Sequence, residues 1–229
     1  MAFYLNFGWM SFCIVFGAML LLNFLMSFQS KNFYTKHVVI RKFSMLDLEF
    51  PASALELVTY IKGIFKLPAG LAKKTLKALK GQLYFDFIFM LALYGSIFIL
   101  CMKVSMKLTF FGHGLFAFFA WLLFIPLLCN IIENIYLLNK IRPDPVVSKP
   151  AIHKGYQILQ MGKWIIALTA AVCSIAAIFY FWLIGRYSYG SLNFLLITAG
   201  EIIIFFILKK STAKSDKEKL DEFQQKGSE

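Results

Sequence analysis

Five runs of about twenty apolar residues leave this chain few ways to fold, because each is as long as a bilayer's hydrocarbon core is thick. Hydrocarbon offers no partners for open backbone N–H and C=O groups, so such runs cross it as helices. The spans are read at 7–27, 83–102, 110–138, 164–185 and 191–208. The third exceeds what a ~30 Å core needs, which predicts tilt, projection or a kink at Pro126. The expected fold class is an all-α integral membrane protein: one membrane domain over 1–208, then a charged cytoplasmic tail over 209–229. Its hydrophobic share of 59% exceeds the roughly 45–50% of soluble domains.

The cations then orient the spans. Ten Lys and Arg lie between spans one and two, five between three and four, and six after span five. Only Lys103, Lys107 and Arg186 fall in the alternate connections. Basic residues collect on the cytoplasmic side, so the N-terminus is expected outside and the C-terminus inside. No basic region precedes the first apolar run, so span one is expected to persist as an anchor rather than serve as a cleavable signal. The net charge of +12 then follows from topology and attraction to anionic headgroups, with no nucleic acid implied. Cys13, Cys101, Cys129 and Cys173 all lie within spans without CxxC spacing, so neither disulfides nor a metal site is expected. His113, between two glycines near the outer end of span three, reads as part of an interfacial turn.

The connection over 28–82 is the one long enough for structure of its own. Leu46-Asp47-Leu48-Glu49-Phe50 alternates apolar and acidic residues, the period of a half-exposed strand. Ser53-Ala54-Leu55-Glu56 is a capping box, and Leu57, Ile61, Ile64 and Phe65 follow at helical spacing. After a break at Leu67-Pro68-Ala69-Gly70, a second amphipathic helix is expected over 71–82. Its Lys73, Lys74, Lys77 and Lys80 suit an anionic inner membrane surface, at about 1 kcal/mol each. The two helices are expected to lie on that surface as an interfacial pair. Arg142-Pro143-Asp144-Pro145 is a rigid turn that stops span three.

Polar side chains within spans are costly there, and mark the places where function or helix locking would reside. Asp86 lies just inside span two, and Asn130, Glu133 and Asn134 share one helical face near the same end of span three. Asn23 lies at a similar level in span one. These five residues form a candidate inner-leaflet pocket. Two carboxylates with amide oxygens suit a hard cation or a shared proton. Alternatively, they pair with loop lysines and amide donors and lock the helices. Glu201 stands near the centre of span five with no Lys or Arg at its depth, so it is expected neutral. Ser174 and Tyr94, at comparable depth, are its candidate hydrogen-bond partners in a proton- or cation-handling site.

The order of Leu46-x-Leu48-x-Phe50, a capped helix, Asp86-x-x-Phe89 with Tyr94, and Asn130-x-x-Glu133-Asn134 resembles a loose group of small bacterial polytopic inner-membrane proteins. The likeness covers about residues 45 to 185. In that group a proline often follows the first motif's Phe and an Asp often replaces Asn130; Met90 and Asn130 depart from this here. The resemblance implies the architecture and singles out Asp86, Glu133 and Asn134, without implying an activity. No Walker loop, GxGxxG, HExxH or GxSxG occurs, and no catalytic residue or cofactor is indicated. The preferred expectation is an accessory or binding subunit whose pocket takes a lipid headgroup, a cation or a partner helix. A proton- or cation-coupled small transporter, and an intramembrane lipid-modifying enzyme, are the alternatives. Anionic lipids, a membrane-protein partner or a second copy of the chain are the expected partners.

Overall fold

The computed structural model describes residues 8–226, with side chains as far as Ser211. Phe7 of the first span, residues 227–229, and the side chains of Lys214, Lys217, Lys219 and Lys226 lie outside that description. The elements run α1 (Trp9–Ser30), β1 (Tyr34–Lys36), β2 (Ile40–Lys42), α2 (Met45–Glu49), α3 (Ala54–Phe65) and α4 (Ala69–Ser105), then α5 (Phe110–Leu122), α6 (Phe124–Lys140), α7 (Pro150–Leu183) and α8 (Gly190–Lys226). Among the described residues, five helical stretches are long and apolar enough to cross a membrane: α1, α4, α5 with α6, α7, and α8 as far as Ser211. This is the make-up of a multi-pass membrane protein.

Helix α4 is the centre of the bundle, packing against α1, α5, α6 and α7, while α8 packs chiefly on α1. Three buried clusters follow one another along α4. Leu79 and Leu83 belong to the first, Met90, Tyr94 and Ile97 to the second, and Ile99, Leu100 and Val104 to the third. The break between α5 and α6 falls at Leu123, three residues before Pro126. Proline lacks an N–H and crowds the carbonyl four residues back, so the helix is interrupted in the turn before it. At the other end of α6, the helix stops at Lys140 before Pro143, with Arg142 Nε donating to the Asn139 carbonyl at 2.8 Å.

The connection after α1 is a small packed unit with a core of its own, not just a pair of amphipathic helices. Strands β1 and β2 form an antiparallel hairpin in the register Tyr34–Lys42, Thr35–Arg41 and Lys36–Ile40, an addition to the expected all-α fold. Phe33 and Phe43 stack at its base, with centroids 5.3 Å apart, and join Leu48, Leu57, Ile61 and Ile64 in a core that also takes Leu79 and Leu137. The expected strand over 46–50 is instead helix α2. The Asp47 carboxylate accepts from the Ser44 N–H at 2.7 Å, which starts a helical turn and buries Leu48. In α3, Ser53 accepts from the Glu56 N–H at 3.1 Å as the capping box requires. The Glu56 carboxylate, however, accepts from Ala52, one residue before the cap, at 2.7 Å.

The expected separate helix over 71–82 does not exist as such: those residues are the opening turns of α4. No proline interrupts 69–105, and Gly81 alone does not stop a helix, so the basic segment continues into the apolar one. At ~1.5 Å per residue, α4 exceeds a ~30 Å hydrocarbon core by several turns. Lys73, Lys74, Lys77 and Lys80 are exposed on that extension, while Thr75 and Leu79 are buried beneath them. His113 also departs from expectation. It lies in α5 rather than in a turn, and its Nδ1 lies 3.0 Å from Ser105 Oγ, tying the start of α5 to the end of α4.

Gly63 marks the tightest approach of the hairpin to α3. A Cβ there would lie 2.0 Å from Thr35 Oγ1 and 3.0 Å from the Lys36 carbonyl oxygen. Thr35 Oγ1 itself donates to the Tyr60 carbonyl at 3.0 Å, so it has little freedom to move away. Gly63→Ala is expected to lift the hairpin from α3 at a cost of about 1–3 kcal/mol. Limited proteolysis should then cut between residues 33 and 68 faster than in the parent, and unchanged digestion would contradict the contact.

Candidate functional site

Three helices deliver a polar layer to one level of the bundle, each from a face whose buried residues stand three and four apart. On α7 the buried positions are His153, Tyr156, Gln160, Lys163, Ala167, Ala170 and Ser174. On α6 they are Asn130, Glu133, Asn134 and Leu137, and on α4 Leu79, Gln82, Leu83, Asp86 and Met90. Such spacing keeps one stripe of each helix against its neighbours along the whole contact. Where the stripe is polar on all three helices, the polar groups have only each other to satisfy them.

The resulting network is a chain of four side chains with a branch. Asp86 Oδ2 accepts from Asn130 Nδ2 at 2.7 Å and from Asn134 Nδ2 at 2.8 Å. Asn130 Oδ1 accepts in turn from Lys163 Nζ at 3.2 Å, and Lys163 forms an ion pair with Glu133 Oε2. Lys163 and Glu133 are 2% and 1% exposed, so water screens neither charge. Asn130 donates at one end of its amide and accepts at the other, and its orientation is therefore dictated by its neighbours. The ammonium pairs with Glu133 while Asp86 is met by two amides, which leaves the set one negative charge in excess when all three are ionised.

Helix α2 covers this layer from the hairpin side. Tyr156 Oη donates to the Leu48 carbonyl and Gln157 Nε2 to the Pro51 carbonyl, both at 3.3 Å. Burial, with the negative charges of Glu133 and Asp86 adding to it and Lys163 opposing, pushes the Glu49 carboxyl up to about 8. Glu49 is thus held largely protonated at neutral pH, at the edge of a layer that already carries more acid than base. On the same faces of α4 and α7, Gln82 Oε1 and both ring nitrogens of His153 are buried without a hydrogen-bond partner, while Gln160 is buried beside Glu133 and Tyr156. Buried polar atoms are normally satisfied, so the unpartnered atoms of Gln82 and His153 stand out.

Asp86, Asn130, Glu133 and Asn134 are therefore brought together as the sequence suggested. Asn23 is not part of the set: it is half-buried on α1 and makes no hydrogen bond to any of them. Glu201 does not meet Ser174 or Tyr94. Ser174 Oγ donates to the Ala171 carbonyl of its own helix, and Tyr94 is buried among Met90, Ile97 and Ala120 around α4. Glu201 faces α1 instead, where a Cβ on Gly17 would lie 2.9 Å from its Oε1. It borders a small cavity of about 180 Å³ with Leu20, Phe24 and Ile204, and its Oε2 is buried without a partner. The physical reason is packing: α8 lies on α1, so its polar residue looks there and not toward α4 or α7.

Lys163, Gln160 and Glu49 were missed by sequence reading. Lys163 counts as a loop cation when span four begins at Trp164, and Glu49 counts as the solvated side of a strand. One signal does reveal the lysine. The three-and-four spacing of Ala167, Ala170 and Ser174 continues backward through Lys163, Gln160 and Tyr156, so all belong to one buried stripe. No protein-family model, curated protein or solved structure matches the chain, and the site is read from its own geometry.

Removing one partner from a buried ion pair strands the other charge, whereas replacing both by apolar groups is often nearly neutral. Lys163→Met is expected to lower stability by about 3–5 kcal/mol, with Glu133→Leu/Lys163→Met recovering most of it. Thermal unfolding of the four proteins of this cycle in one detergent measures the coupling. Additive losses would show that the two side chains do not interact.

Proposed function

We propose that the protein is a multi-pass protein of a bacterial cytoplasmic membrane that acts as an accessory or binding subunit rather than as a free-standing enzyme. The strongest support is the polar layer itself. Asp86, Asn130, Glu133 and Lys163 are occupied by one another, which suits a lock between α4, α6 and α7. Gln82 Oε1 and the ring nitrogens of His153, buried without partners on the same faces of α4 and α7, have a donor and acceptors to offer a polar guest. A lipid headgroup, a cation or a polar side chain from a partner helix has the matching chemistry. The excess of acid over base favours a guest that brings positive charge or protons.

The orientation proposed is N-terminus outside and C-terminus cytoplasmic. It is supported by the concentration of cations at the hairpin end and in the tail, against Lys103, Lys107 and Arg186 at the other end. Impermeant maleimide applied to intact cells should label Ser188→Cys and spare Ser211→Cys; the reverse pattern would invert the proposed topology. One observation favours a second reading as a proton- or cation-handling protein. Glu201, with its buried unpartnered Oε2 beside Gly17, is a carboxyl able to alternate between states as the α1–α8 seam hydrates.

Native mass spectrometry of the gently extracted chain tests the binding reading. The parent should retain a small polar ligand or lipid that is lost both in Asp86→Asn/Glu133→Gln and in Gln160→Met. The second variant keeps both members of the ion pair, and a melting temperature close to the parent's separates its loss of ligand from a loss of fold. A parent that carries nothing, or variants that carry the same mass, would reduce the layer to a helix lock.

A further inference from the structure

At the end of the bundle remote from the hairpin, the three cations excluded from the basic loops come together. Lys103 Nζ lies 5.4 Å from the centroid of the Trp9 ring, and Lys107 Nζ lies 5.2 Å from that of Tyr187. Arg186 Nη1 donates to the Lys107 carbonyl at 2.8 Å, and Tyr187 Oη donates to the Lys103 carbonyl at 3.1 Å. Trp9 stacks on Trp182 with centroids 5.4 Å apart and meets Tyr187 edge-on at 5.3 Å. The cations are thereby gathered on one aromatic rim, although they come from two different connections.

No acidic residue answers them. Asp and Glu are absent from residues 87–132 and 145–200, so neither connection at this end carries a carboxylate, and neither does the chain before Asp47. Three positive charges are thus held close together without a counterion from the chain. Each costs the others some free energy in the absence of an anion, and a phosphate relieves all three at once.

The same rim is the mouth of an apolar groove. Trp9 and Trp182 line a cavity of about 370 Å³ that continues between the helices past Phe16, Ile97, Ile178 and Leu195. It forms because α8 leans on α1 and leaves the side of α7 open. Its walls are almost wholly apolar, so a guest in it contributes hydrocarbon and no hydrogen bonds. A cationic rim above an apolar slot matches an amphiphile with an anionic head, of which a phosphate joined to an alkyl chain is the membrane's commonest.

We infer that this groove binds one anionic glycerophospholipid, with an acyl chain between α1, α4, α7 and α8 and the headgroup phosphate on Lys103, Lys107 and Arg186. The site is at the opposite end of the bundle from the polar layer and from Lys73, Lys74, Lys77 and Lys80, so it is separate from any headgroup site there. It rests on the reading of the chain as membrane-embedded, and the two fail separately. A chain that remains dispersed without detergent overturns that reading. The outcomes below bear on the groove alone.

The test offers the detergent-purified full chain equal amounts of phosphatidylglycerol and phosphatidylethanolamine with identical acyl chains, read by native mass spectrometry. The parent should retain phosphatidylglycerol in preference. Lys107→Gln/Arg186→Gln, which alters exposed side chains only, should reduce that preference by at least about tenfold, as loss of roughly 1 kcal/mol per cation implies. Lys107→Arg should keep it. Ala171→Phe, which fills the groove, should reduce retention of both lipids while leaving the melting temperature close to the parent's. Equal retention of the two lipids by the parent would overturn the site. So would a preference that survives Lys107→Gln/Arg186→Gln and disappears when Lys73, Lys74, Lys77 and Lys80 are changed to Gln.

Discussion

Lys163 and Glu133 are sealed from solvent, and neither tolerates being left alone, so α7 must meet α6 at the one register that pairs them. Asn130 extends the requirement to α4 by bonding Lys163 with its oxygen and Asp86 with its nitrogen. A slip of one residue on any of the three helices would rotate a charged group by about 100° out of the layer. Buried ion pairs contribute little net stability against apolar replacements of the same size. Their clearer effect here is to exclude alternative registers, which apolar helices of similar shape would otherwise accept.

What surrounds that layer follows from it. Below Lys163 the α7 stripe changes to Ala167, Ala170 and Ser174, small residues that let α4 approach closely, with Cys101 Sγ of α4 donating to the Ala170 carbonyl at 3.8 Å. On the other side the hairpin, α2 and α3 form a cover whose core is continuous with Leu79, Leu83 and Leu137 of the bundle. The cover brings the Glu49 carboxyl to the edge of the network, where it is held largely neutral. The bundle's two ends therefore differ in kind. One is a buried, mutually paired set of polar groups, and the other is an open aromatic rim with unanswered positive charge.

The parts of the fold that were legible in the sequence are those set by local composition. The five apolar runs, the interruption near Pro126, the stop after Lys140 and the cap at Ser53 all depend on residues within a turn or two of the event. The candidate cluster was legible for a similar reason, since Asn130, Glu133 and Asn134 share a face by helical geometry alone. The errors came where a local pattern had two solutions. Residues 46–50 fit a strand by alternation, yet they form a helix because Asp47 caps Ser44 and Leu48 has a core to enter. Lys163 looked like loop charge because its partner is thirty residues away and on another helix.

By itself the sequence determined that the chain has five helices of membrane-spanning length, where cations concentrate, and which polar residues stand inside apolar runs. Those properties are sums over neighbouring residues, and periodicity reads them without knowing the packing. The tertiary structure alone decided that Glu49 and Lys163 belong with Asp86 and Glu133, that Asn23 does not, and that Glu201 faces Gly17. It alone gathered Lys103, Lys107 and Arg186 onto one rim. Each of these depends on which helix lies beside which and how each is rotated. That choice is fixed by long-range pairing of a few buried groups, and no local window of the sequence contains both members of such a pair.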